Sequence, residues 1–251
     1  MTDWYQLEER LSAPVTERML ELAELRPGMH VLDLATGKGV PLLPIAEAVG
    51  PSGRVLGVDP SAAALKVTQA RADQAGLTNV ELQAVGAEAF EAPPASFDAA
   101  TSRWGLFALE DPVAVLRRVG RALKPGAPLV VALWSEYERI SWYSVPREVT
   151  TRFLTLPDTA GPTRLGTLAS IRREFQAAGM QIRAIHELEC TVVEAREAEE
   201  IVAWARAVLS RWVPSAQEHE WEAALKAAAE RHRSDGWIRL GGLTRLVLAQ
   251  A

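Results

Sequence analysis

Five short apolar runs separated by helix-like stretches occupy residues 29–134, and no other feature limits the fold as strongly. The runs are "MHVLDLA" (29–35), "RVLGVD" (54–59), "VELQAV" (80–85), "FDAATS" (97–102) and "PLVVALW" (128–134). Helical stretches lie near 40–49, 62–75 and 112–122. Ser61 is placed to cap the second helix, and Asp111 to cap the third, with Pro112 at its first helical position. Strands that alternate with helices in this way form a parallel sheet covered on both faces. "LKPGAP" (123–128) is the turn that returns the chain into the fifth strand.

Beyond residue 134 the pattern changes. Residues 135–168 are irregular, aromatic and proline-bearing, and a connection this long inside a domain reads as a functional lid. A helix over 170–180 ends at Gly179, and a strand follows over 181–193. The next periodic stretch puts Ile201, Trp204, Ala205, Val208 and Trp212 on one helical face, stopped by Pro214. Ser215 and Glu218 suggest a capping box for a further helix. A last strand, 242–250, is expected to pair antiparallel with 181–193. The fold class is therefore α/β: a Rossmann-like, seven-stranded, mostly parallel sheet with an antiparallel last strand and a helical insertion at 194–236. Residues 1–27 read as an N-terminal helical lid segment, and 28–251 as the main domain.

The first strand runs into the glycine loop "ATGKGV", and three cofactors compete for it. A strand-to-helix turn of this kind aims backbone N–H groups at small polar or anionic ligand groups. A phosphate-binding P-loop needs G-x-x-x-x-G-K-[ST]; here Gly39 follows Lys38 where a hydroxyl belongs, and no first glycine is present. A dinucleotide fingerprint would put its third small residue at Leu42, which is too large. What remains is an acid at the strand end followed by small-x-Gly-x-Gly: Asp33, Ala35, Gly37 and Gly39.

This pattern resembles the first motif of class I S-adenosylmethionine-dependent methyltransferases, with Ala35 in place of the usual first glycine. "GRVLGVDPS" adds Asp59 at the end of the second strand, 22 residues after Gly37, where such families hold a ribose diol. In "VGAEAFEAPPASFDAA", Gly86 stands where the family commonly has an aspartate for the adenine amino group. The resemblance then leaves that contact to a backbone carbonyl near Ala87 or to Glu88. "TSRWGLFALEDPVAVLRRVGRALKPGAPLVVALWSE" is similar to the family's fourth strand, helix and fifth strand. The likeness is strongest to the quinone-biosynthesis type and its small-molecule relatives, and "WSEYERISW" and "GWIRLGGLTRLVLA" extend it over most of the chain.

The resemblance implies S-adenosyl-L-methionine as cofactor. Its amino-acid end would lie across Thr36, Gly37, Lys38 and Gly39, with Asp33 near the ammonium. The ribose would sit at Asp59 with Pro60 and Ser61, and the adenine near Gly86, Ala87 and Glu88. Trp104 either offers an aromatic face to the sulfonium or belongs to the core. Arg103 either binds a carboxylate or closes a salt bridge. Trp4, Tyr5, Tyr137, Trp142 and Tyr143, with Trp104, are candidates to line an apolar or aromatic substrate pocket. The sulfonium carries its own leaving group, so transfer needs orientation and a dry site more than a catalytic triad. His30, His186, His219 and His232 fall in strands or the insertion helix, and no general base is assigned.

Composition narrows the partners. With a net charge of −5 and no basic face, neither nucleic acid nor an anionic membrane is expected. The single cysteine, Cys190, excludes a disulfide framework, and the four histidines form no metal-spaced pair. The polar start "MTDWYQLEER" and the lack of a long apolar run point to a cytoplasmic protein. A homodimer is compatible with these features. The leading expectation is methyl transfer to a small metabolite. The alternative is a fold that holds the cofactor while catalysing a cyclisation or rearrangement.

Overall fold

The computed structural model describes residues 3–157, 161–210 and 213–251. The chain forms two compact units. One, the sheet unit, comprises Val15–Trp134, Gly161–Leu188 and Arg245–Ala251; the other, the helical unit, comprises Met1–Pro14, Ser135–Ala160 and Glu189–Thr244.

Strands β1 (His30–Leu34), β2 (Arg54–Val58), β3 (Val80–Gln83), β4 (Ala99–Arg103) and β5 (Pro128–Trp134) pair in parallel. With β6 (Gln181–Ala195) and β8 (Trp237–Gln250), the sheet runs β3-β2-β1-β4-β5-β8-β6. β8 neighbours β6 as the sequence suggests. An unforeseen eighth strand, β7 (Arg233–Ser234), pairs antiparallel with β8. Successive side chains of a strand point to opposite faces, so adjacent residues feed different cores. Val31, Val55 and Ala99 pack with Leu42, Ile45 and Val49 of α3 (Leu42–Val49) and Ala72 of α4 (Ala62–Gln74). Leu32, Leu34, Ala100, Leu129 and Val131 face the other way, onto Val115, Leu116 and Val119 of α5 (Pro112–Ala122) and Phe175 of α7 (Leu168–Ala177). Each such buried valine, leucine, isoleucine or phenylalanine contributes roughly 1.5–3 kcal/mol relative to exposure.

The helix starts follow their expected caps. Ser61 Oγ accepts the Ala64 amide at 3.2 Å, and Asp111 Oδ1 accepts the Ala114 amide at 2.9 Å. Two helices precede the sheet, α1 (Trp4–Leu11) and α2 (Ala13–Leu22), and the change from helical to sheet unit falls after Pro14, within α2.

The helical unit gathers α1, α6 (Ser141–Thr150), α8 (Ala198–Val208) and α9 (Glu218–Glu230). Trp204 and Trp221 are its largest fully buried side chains, and the Trp221 indole donates to Thr150 Oγ1 at 2.9 Å. Arg206 bridges to Glu218 at 2.6 Å, and Lys226 to Glu199 at 2.8 Å, so both ion pairs tie α8 to α9. Here the structure corrects several expectations. The capping box belongs to α8, formed by Glu197 and Glu200, whereas Gln217 occupies the cap of α9 without a side-chain bond, leaving Ser215 and Glu218 outside that role. α8 ends at Val208, before Pro214, and Val208 is 47% exposed, so it leaves the buried face that Ile201, Trp204 and Ala205 share. Trp212 lies outside the described residues. His232 follows α9 rather than lying in it; burial, and then Arg231, hold its imidazole below the usual range.

Candidate cofactor site

The site grows from the carboxyl ends of β1, β2 and β4, where an open α/β sheet presents its ligand crevice. Strand register sets Asp33 between Gly57 of β2 and Thr101 of β4. Thr101 Oγ1 therefore donates to Asp33 Oδ1 at 2.6 Å, and Thr36 Oγ1 donates to Oδ2 from the loop that follows. The Asp33 carboxyl is fully buried, and burial pushes its pKa up to about 6 against the lowering effects of the two threonine bonds and Arg103. One oxygen thus holds β4 and the other holds the loop.

Asp59 ties β2 to the same loop. Its Oδ2 accepts the Gly37 amide at 2.9 Å, and its Oδ1 accepts the Ser61 amide at 2.8 Å, beside Pro60. Thr68, on α4, donates to the Gly37 carbonyl at 2.8 Å, and Arg71 donates to the Lys38 carbonyl at 2.7 Å. The Lys38 side chain itself faces solvent. Gly39, at φ +99°, leaves only 3.1 Å between a hypothetical Cβ and both Leu43 and Thr68, so a side chain there would strain the turn. Over Gly37 the nearest atom to such a Cβ is 4.0 Å away, leaving the rim of the loop open.

The fourth strand ends in strain. Ala35 and Trp104 both adopt left-handed backbone, φ 56° and 55°, a conformation that costs a residue with a side chain about 1–3 kcal/mol. Between β4 and the loop, Gly105 approaches so closely that a Cβ there would collide with the Ala35 methyl. The Trp104 ring stacks on Trp134 at 4.4 Å, and the Arg103 guanidinium stands 4.6 Å from its centroid. A cation–π contact is present, then, but Arg103 makes it. Arg103 also reaches Thr16 Oγ1 at 3.4 Å. Two buried polar atoms here, Ser102 Oγ and Trp104 Nε1, have no hydrogen-bond partner among the described residues. Buried polar groups are normally satisfied, so these orphans mark a place where ligand or water belongs.

At the third-strand end, a Cβ on Gly86 would meet nothing within 4 Å. Glu88 is committed elsewhere: its Oε1 accepts the amides of Glu110 at 2.5 Å and Asp111 at 3.3 Å, just before α5. Arg118 donates to the Glu88 carbonyl at 2.5 Å and to the Ala87 carbonyl at 3.4 Å.

The helical unit brings three of the aromatic candidates together. Tyr143 meets Tyr137 edge-on at 6.0 Å and Trp142 at 5.7 Å, and Arg147 lies 5.8 Å from the Tyr143 centroid. Tyr143 is buried; the Tyr137 hydroxyl donates to the Ser144 carbonyl at 3.3 Å. Burial, reinforced by Glu148, pushes the Tyr137 phenol up to about 12, so it keeps its proton at neutral pH. Trp4 and Tyr5 sit half-buried on α1, which packs on α8.

Sequence reasoning missed Thr101, Thr68 and Arg71. Thr68 could have been found, because it lies on the same face of α4 as Ala64, one turn from the capped start. Thr101 could not, since its place beside Asp33 depends on a register between strands 68 residues apart.

A methyltransferase-domain family model matches residues 25–157, more than half of the chain. Nocamycin O-methyltransferase of Saccharothrix syringae is 31% identical over 207 residues, covering 76% of this chain and 72% of that protein. The chain belongs to the S-adenosylmethionine-dependent methyltransferases. This enzyme is also 36% identical to a demethylmenaquinone methyltransferase of Listeria welshimeri over 126 residues, half of this chain and 53% of that one. The chain thus spans about half the length of that quinone-type relative. Among solved structures, the [4+2]-cyclase SpnF superposes with a TM-score of 0.62 at 21% identity, covering 94% of this chain and 80% of SpnF. That likeness shows the fold alone. No helix among the described residues is long and apolar enough to cross a membrane, and none of their His, Cys, Asp and Glu side chains cluster as a metal site.

Proposed function

We propose that the enzyme transfers a methyl group from S-adenosylmethionine to a small, apolar or aromatic metabolite of natural-product or quinone-like character. The observation that carries the cofactor half is the bond from Gly37 to Asp59, which makes the glycine loop and the end of β2 one cradle. The cradle fits the cofactor. A carboxylate has about four lone-pair sites, and each Asp59 oxygen accepts one amide, leaving capacity for a ribose diol. The open rim over Gly37 and the loop amides suit the amino-acid end, with Thr36, Lys38 and Gly39 around it. Asp33 holds that loop in shape through Thr36 and Thr101 and acts on the ammonium by its charge. Gly86, Ala87 and Glu88 would border the adenine, where Glu88 Oε1 and the Ala87 and Glu88 carbonyls already accept bonds from within the chain.

Bound there, S-adenosylmethionine supplies an activated methyl and a neutral leaving group. The chain's own task is orientation and exclusion of water. Arg103 and Trp104 stand at the strand end where the methyl would emerge, and Trp4, Tyr5, Tyr137, Trp142 and Tyr143 remain candidates for the acceptor side. The acceptor class is supported by the activities of the two sequence relatives, one a nocamycin O-methyltransferase and one a demethylmenaquinone methyltransferase.

Calorimetry with S-adenosylmethionine and S-adenosylhomocysteine tests the cofactor reading, and Asp59→Ala should weaken binding roughly 100-fold through loss of charge-assisted hydrogen bonds. Unchanged affinity in that variant refutes the cradle. Incubation with phenols, enols and quinols, read by mass spectrometry for a gained methyl and released S-adenosylhomocysteine, tests the acceptor class. Product isomerisation without S-adenosylhomocysteine would replace methyl transfer by the rearrangement reading.

A further inference from the structure

Strand β6 ends the sheet, and among the described residues no strand pairs with its outer side. The strand at the opposite edge, β3, has only four residues, whereas β6 has fifteen and contains neither proline nor glycine. A long regular edge offers a row of N–H and C=O groups to another chain, and folds usually shorten, bulge or cover it. Within the sheet unit, none of residues 181–188 is buried.

This stretch, "QIRAIHEL", is complementary to itself. Two copies of a strand related by a two-fold axis normal to the sheet run antiparallel and pair only residues of the same parity. Centred on Ile185, that axis sets Arg183 against Glu187 of the second copy, and Glu187 against its Arg183. On the other face, Ile182 meets Leu188. Shifting the axis to Ala184 would put Arg183 against Ile185, and shifting it to His186 would put Ile185 against Glu187. Opposite charges and apolar pairs directly across a ladder stabilise it, while a charge facing an aliphatic chain does not. The axis at His186 would pair Arg183 with Glu189 but leave Glu187 against Ile185; the register at Ile185 pairs both Arg183 and Glu187 with opposite charge, with Ala184 against His186 beside the Ile182–Leu188 pair.

The surroundings agree. Leu168 and Arg172 of α7 border a groove of about 400 Å³ along Ile182, Arg183, Ile185 and Glu187. Leu168 is 40% exposed, one of the few large apolar side chains left so uncovered. Both charges are already oriented: Arg183 donates to Gln181 Oε1 at 3.1 Å, and Glu187 accepts from the buried Arg245 at 2.9 Å.

We propose that β6 pairs antiparallel with β6 of a second copy across a two-fold axis at Ile185, joining two sheets into one. Sedimentation equilibrium of the full chain should then show a reversible dimer. Arg183→Glu turns two attractive cross-strand pairs repulsive and should weaken the dimer by roughly tenfold or more. In a Cys190→Ser background, Ile185→Cys faces its own copy and should form an intermolecular disulfide under mild oxidant. S-adenosylhomocysteine affinity, which Arg183 does not touch, serves as the folding control. A monomer at all concentrations, or a dimer indifferent to Arg183→Glu and without the Ile185→Cys crosslink, overturns the proposal.

Discussion

The two units are assembled in opposite ways. The sheet unit takes most of its residues from one continuous run, Val15–Trp134, whereas the helical unit collects three shorter segments, Met1–Pro14, Ser135–Ala160 and Glu189–Thr244. Their interiors differ accordingly. The sheet unit has two aliphatic cores fed by alternate strand positions, together with a buried polar knot of Asp33, Thr36 and Thr101. The helical unit rests on two tryptophans and on ion pairs between α8 and α9. The lesson is one of division: the proposed cofactor cradle is built within the sheet unit, while Trp4, Tyr5, Tyr137, Trp142 and Tyr143, proposed for the acceptor side, fall in the helical unit.

Three experiments bear on that division. The largest effect is expected from Trp221→Ala, which removes a fully buried indole and its bond to Thr150 and should cost about 3–5 kcal/mol in urea unfolding. If cofactor affinity falls as steeply as stability, the units do not divide the work.

Asp33 gives the next effect. Its folded pKa of about 6 exceeds the ordinary 3.8, so the folded state keeps a proton that the unfolded chain has already released. The stability this adds is complete below the unfolded value and is lost as pH climbs to the folded one, up to about 3 kcal/mol in all. Asp33→Asn lacks the titration, so the wild-type advantage over the variant should shrink between pH about 4 and about 6 and stay level above. Thermal unfolding of both proteins across that range measures it; parallel curves would mean that the carboxyl is not buried as described.

The smallest effect concerns the loop. Gly105→Ala should cost about 1–3 kcal/mol through overpacking against Ala35, and adding Ala35→Gly should recover part of that loss. Strict additivity of the two changes would show that the turn relaxes independently of β4.

How much of this was legible depended on distance along the chain. The five parallel strands and the caps at Ser61 and Asp111 follow from neighbours within a few residues, and the structure places them as expected. The partners of Asp33 and Asp59 were half legible: the acids announce themselves at strand ends, but the hydroxyl from Thr101 arrives through sheet register. The amides that Glu88 accepts, just before α5, are brought near it only by the fold. In the helical unit, Ser215 and Glu218 have the spacing of a capping box, but the box forms instead at the start of α8 from Glu197 and Glu200, where the sequence reading placed none.

The contact of Ala35 with Gly105 has a consequence for how such chains can diverge. A methyl at the first loop position and a bare backbone at the end of β4 are one decision written at two sites. With glycine at the loop position a side chain at 105 would still press on Ser102 Oγ, whereas with alanine there it would meet the methyl as well. A change at either position is therefore felt at the other, and the glycine loop and the neighbouring strand end pack as one piece.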